Sequence, residues 1–156
     1  MNTDHLGVSD YIIMSIVAGA AGAIAMYGVM RIINTTGWTK GDMILAVGSL
    51  VTKQLSNAFA VGTAIHLATA IIFAFLYLFA LSNFGFTQFP LAVAIGAFFG
   101  VLHGIIVSLA LVWVVSDQHP LEEFRSASLP IGIMHFAGHV AYGATVGLVI
   151  SAFPIS

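Results

Sequence analysis

Four stretches of this chain, about Tyr11–Ile33, Asn57–Leu81, Phe89–Ser116 and Ile131–Phe153, are each long and apolar enough to cross a lipid bilayer. A segment in hydrocarbon has to satisfy its own backbone hydrogen bonds, so runs of this length read as helices. The expected fold is therefore all-α: a four-helix transmembrane bundle forming one domain over residues 1–156. Composition agrees, with 60% hydrophobic and only 6% charged residues, where soluble domains carry about 25% charged.

The pieces between these runs carry the polarity. Ser82–Gln88 is short and holds Asn83 and Gly85, so the second and third spans should form a tight hairpin with Pro90 opening the third helix. Residues 42–56 place Met43, Ile44, Val47, Leu50, Val51 and Leu55 at helical spacing. That pattern predicts an amphipathic helix at the membrane interface, with a re-entrant segment as the alternative. All four basic residues, Arg31, Lys40, Lys53 and Arg125, fall at one end of the expected bundle. The positive-inside rule then puts both polar connections in the cytoplasm and both termini outside, in a multi-pass protein of the cell's inner (cytoplasmic) membrane. The N-terminal stretch has Asp4 and Asp10 where a cleavable signal would be basic, so no cleavage is expected.

Several function classes drop out. A net charge of −2 gives no electrostatic case for nucleic acid. With no cysteine there are no disulfides, thiolate metal sites or iron–sulfur clusters. No phosphate loop, Ser/His/Asp set or HExxH motif is present, so nothing argues for a hydrolase or transferase.

Small residues recur every fourth position on the spans: Ala92, Gly96, Gly100, Gly104 and Ser108 on the third, and Gly143, Gly147 and Ser151 on the fourth. The second carries Ala58, Gly62, Ala70 and Ala74, and the first is rich in small residues from Ala18 to Gly28. Such stripes mark helix–helix interfaces in membranes. Four of the six histidines, His66, His103, His135 and His139, lie within the spans on or beside these stripes. An ionisable side chain in hydrocarbon is costly and normally faces a partner or a cavity.

Two site readings follow. His66, His103 and His139 are candidate cofactor ligands, and haem b held by a pair of histidines is the cofactor that type of pair could bind. His135 and His139, four apart on one helix, with His119, Glu122 and Glu123 at the rim, are a candidate divalent-metal set. Against each stands a plainer reading. The histidines can simply donate to backbone carbonyls, the glycines can simply let helices touch, and His119–Arg125 can be a short interfacial helix.

Several motifs resemble a family of small four-span membrane proteins of bacteria and archaea with no assigned function. They are Gly19/Gly22/Met26 with Met30, Asp42-Met43…Gly48-Ser49, Gly62…His66…Phe73…Tyr77, Gly100-Val101-Leu102-His103-Gly104 and Gly138-His139-Val140-Ala141-Tyr142-Gly143…Gly147. The resemblance implies the four-helix layout and makes His66, His103 and His139 shared features. It supplies no activity.

The functional expectation is an accessory subunit of a larger redox or respiratory membrane complex, in contact with lipid and other membrane subunits, or with a second copy of itself. The alternatives are a stand-alone haem- or metal-binding protein and a small transporter or proton-conducting bundle.

Overall fold

The computed structural model describes residues 7–125 and 128–153. Among them there is no strand, and four helices are long and apolar enough to span a membrane. These are α1 (Val8–Thr35), α3 (Ala58–Asn83), α4 (Leu91–Ala110) and α6 (Leu129–Ala152). A short helix α2 (Met43–Thr52) lies between α1 and α3. Beyond α4 the chain stays helical through a π-turn, Leu111–Val115, into the single turn α5 (Ser116–Gln118), and a 3₁₀ turn at Glu122–Phe124 precedes α6. The protein is thus a multi-pass membrane protein with an all-α fold. The chain termini, on which the expected sidedness bears, lie outside the described residues.

Local chemistry explains where the helices begin. The Asp10 carboxylate accepts the Gly7 N–H at 3.0 Å and closes the first turn of α1. The Asp42 side chain accepts the Leu45 N–H at 3.0 Å and caps α2. At the other end of α2, Lys53 turns left-handed at φ 56° and returns its N–H to Ser49. Asn34, near the end of α1, bonds both ways with Gly41 (3.1 and 3.2 Å), tying the approach to α2 onto α1.

The small-residue stripes are the contacts that set the packing. Gly96 lies against the Gly143 backbone, Gly147 against Ala92, and Gly100 against His139 and Val140, so α4 and α6 touch backbone to backbone. On α1, a Cβ at Gly19 would come 2.8 Å from the Ile71 Cα, which seats α1 on α3. Gly22 gives way to the Tyr142 ring and seats α1 on α6. Close approach of this kind maximises dispersion contact, the main attraction available between helices in lipid.

The resulting neighbour order is α2–α3–α1–α6–α4. Consecutive spans α3 and α4 bring little backbone together and meet through side chains, Phe73 on His103 and Tyr77 on Phe99. Towards that hairpin the interior is closed by Met14, Ala18, Ala74, Leu78, Leu81, Val146 and Ile150, all buried.

The short helix expected at the polar end is present, and it buries its small side. Gly48 sits on Ala58 and Gly62, and Gly62 on the Ile44 carbonyl, so α2 runs antiparallel along the first turns of α3. Ala46, Gly48 and Ser49 are buried, whereas Val51 is exposed.

This packing yields a direct test. Gly143→Val forces a side chain into the Gly96–Gly100 backbone of α4 and should cost about 1–3 kcal/mol or more. Gly28→Ala meets nothing within 4 Å, and should leave the thermal midpoint in mild detergent unchanged or slightly raised. Equal midpoints for both variants would contradict the stripe packing.

Candidate functional site: a histidine-lined chamber and a polar vestibule

Where α3 and α4 stand apart, an apolar chamber of about 230 Å³ opens. Histidines from three helices reach it: His66 from α3, His103 from α4 and His139 from α6. Met26, Met43, Thr69, Phe73 and Tyr142 complete much of the wall. Thr69 is exposed on the flank of α3, so the chamber opens sideways between the two helices.

The rings around it are fixed by one another. His103 stacks on Phe73 with centroids 3.9 Å apart and meets His139 edge to face at 4.6 Å. The Tyr77 hydroxyl lies 3.4 Å from His103 Nδ1. A neutral imidazole that accepts there carries its proton on Nε2. His139 is set the other way: Nδ1–H donates to the His135 carbonyl at 2.8 Å, which leaves Nε2 as an acceptor. Tyr142 donates its hydroxyl to the Ala70 carbonyl at 2.5 Å and ties α6 to α3 above the chamber.

A second cavity, of about 450 Å³, lies at the polar end. Arg31 and Asn34 of α1, Lys40 and Asp42 of the following loop, Glu123 of the 3₁₀ turn and His135 of α6 line this vestibule. Leu111 and Val115, at the two ends of the π-turn, form part of its apolar wall. Met43 borders both cavities, so the first turn of α2 stands between them.

The structure therefore separates residues that the sequence grouped. His135 faces the vestibule and His139 the chamber, so the i, i+4 pair does not share a ligand. His119 is spent structurally. It is fully buried, its Nε2–H donates to the Ala46 carbonyl at 3.0 Å, and its Nδ1 accepts the Leu121 N–H at 3.0 Å. Arg125 Nε in turn donates to the His119 carbonyl at 2.7 Å. His119 is thus the pin that holds α2 beneath the α4–α6 connection. Glu122 and Glu123 are both exposed, and Glu123 alone of the two lines the vestibule.

Among the described residues no three His, Asp or Glu side chains converge as a metal site. The set His119, Glu122, Glu123, His135 and His139 is not assembled, because both nitrogens of His119 are engaged and the other members face different spaces. For haem, His103 and His139 meet edge to face at 4.6 Å, which leaves no gap for a porphyrin between that pair.

Sequence reasoning missed Arg31, Asn34, Lys40 and Asp42 as site residues, and Tyr77 and Tyr142 as the ring-setting groups. The available signal was the i, i+3 pair Arg31/Asn34 ending an apolar span, and Tyr142 three residues after His139.

No family model matches the chain, and no curated protein or solved structure matches it either. The resemblance to small four-span membrane proteins thus rests on the sequence motifs alone.

The role of His119 is testable. His119→Phe keeps the bulk but removes the donor to Ala46, and should destabilise the fold by about 1–3 kcal/mol. It should also speed proteolysis in the segments flanking α2. Unchanged midpoint and cleavage rate would mean the pin carries no weight.

Proposed function

We propose that the chain is a membrane protein that binds a lipid-soluble ring compound of the quinone class in the chamber between α3 and α4. The observation that carries this is the convergence of His66, His103 and His139, from three helices, on one apolar space with a sideways opening. An apolar cavity of about 150 Å³ is enough for benzene, so this one admits a substituted six-membered ring whose tail leaves between the helices. The polar contacts match the chemistry of that class. With Nδ1 accepting from Tyr77, His103 has its Nε2–H to donate to a quinone carbonyl. His139, with its lone pair on Nε2, is an acceptor for the hydroxyl of the reduced form.

This reading keeps the redox setting expected for a subunit of a larger respiratory membrane complex. The subunit role itself has no surface feature behind it, since the exposed apolar residues of α1, α3 and α4 are what lipid requires. A proton-conducting path is less well supported, because the interior towards the hairpin is apolar and closed.

Titrating the protein in nanodiscs with a short-tailed quinone, and following tyrosine and tryptophan fluorescence, tests the reading. Saturable quenching should weaken about tenfold or more in His103→Phe, from the lost hydrogen bond. A quinone that quenches wild type and His103→Phe alike, or without saturation, would remove this function.

From the positive-inside rule we also propose that the basic end of the bundle lies in the cytoplasm, in the cell's inner membrane. The chain lacks cysteine, so single-cysteine variants report sidedness cleanly. Lys53→Cys should react with an impermeant maleimide only after the cells are opened, and Asn83→Cys in intact cells. The reverse pattern would invert the topology.

A further inference from the structure

The vestibule holds one polar group that the fold leaves unsatisfied. His135 is only 1% exposed, and its Nε2 is buried without a hydrogen-bond partner. Its Nδ1–H is committed to the Ile131 carbonyl at 2.7 Å, so Nε2 presents a lone pair and accepts only. Leaving such an acceptor bare inside a protein costs about 1–3 kcal/mol, and a native structure normally supplies a partner. The residues beside it say what kind. Glu123 adds a second acceptor, and Arg31 and Lys40 add cationic donors from the α1 side. Asp42 has one carboxylate oxygen turned to capping α2.

A simple anion suits Arg31 and Lys40 but meets the acceptors Glu123 and His135. A simple cation suits those acceptors but meets Arg31 and Lys40. A metal finds too few converging ligands among the described residues. A molecule with a primary ammonium close to an anionic group answers every side of the cavity at once.

We infer that the vestibule is a binding site for a small zwitterion, its ammonium held between His135 Nε2 and Glu123 and its anionic group by Arg31 and Lys40. An ammonium has three donors and can serve both acceptors together. Two sources carry this chemistry: the headgroup of an ethanolamine phospholipid, or a free solute such as an amino acid. The site lies at the polar end of the bundle, and Leu111, Val115, Phe124 and Ile131 provide an apolar wall. The inference is independent of the quinone reading, because none of the four residues it uses lines the chamber.

The test measures the thermal midpoint of the full chain in mixed micelles. The lipids are ethanolamine, choline and glycerol phospholipids with identical acyl chains, and the soluble probes are phosphoethanolamine, glycine and glycine betaine. The ethanolamine lipid should raise the midpoint at about tenfold lower mole fraction than the choline lipid, whose quaternary nitrogen has no N–H to give. Glu123→Gln and His135→Phe should each abolish that preference. Glu123 is exposed, so the first variant should fold even where the second does not. Phosphoethanolamine or glycine raising the midpoint with betaine inert would give the same site a free solute as its source. Equal effects of ethanolamine and choline lipids, equal effects of glycerol lipid, or no effect of any probe would each overturn the inference.

Discussion

The backbone contact between α4 and α6 is the constraint from which the rest of the architecture follows. Gly96, Gly100, Gly143 and Gly147 let the two helices approach until main chain meets main chain. α1 then takes another face of α6, through Gly22 and Tyr142, and α3 follows α1 through Gly19. The separation of α3 from α4 is the geometric remainder of those three close contacts. The chamber is that remainder, and three histidines line it because each stands on or next to a stripe that turns inward.

Both polar spaces also depend on α2. It is too short to span, yet Gly48 and Gly62 bring it into backbone contact with α3. His119 fixes its other side through the Ala46 carbonyl. One small helix thereby forms a wall of the chamber and a wall of the vestibule, with Met43 at the division. A π-turn at Leu111–Val115 lies at the same level. Such turns occur often at functional sites, since they re-aim side chains without ending the helix. Here Leu111 and Val115 both reach the vestibule wall.

The spans and their inward stripes were legible from sequence because each rests on local composition: apolar length for the spans, four-residue spacing for the small residues. Helix order was not legible. The spans are apolar on nearly every face, so no polar side marks which neighbour belongs where. The pairing of His135 with His139 failed for a related reason. Four residues along a helix keep two side chains near one face but shift them by about 6 Å along the axis. That shift carries His135 past Met43 into the vestibule and leaves His139 in the chamber. The rim segment misled in another way, because His119 looks like a ligand in sequence and only its two short hydrogen bonds reveal a pin.

The two intramembrane histidines of α6 show how one local device serves two kinds of site. Each gives its Nδ1 proton to the carbonyl four residues earlier, which fixes the ring and commits Nε2 to accepting. This uses up one nitrogen of each without any residue from another helix. The remaining lone pair then takes its meaning from depth alone. At His139 it faces an apolar space and the edge of another imidazole, where a neutral hydroxyl is the natural partner. At His135, one turn nearer the polar end, the ring borders a cavity edged with charge, where an ammonium would answer it. The helix repeats the same hydrogen bond twice, and the surrounding dielectric and charges make the two acceptors chemically different.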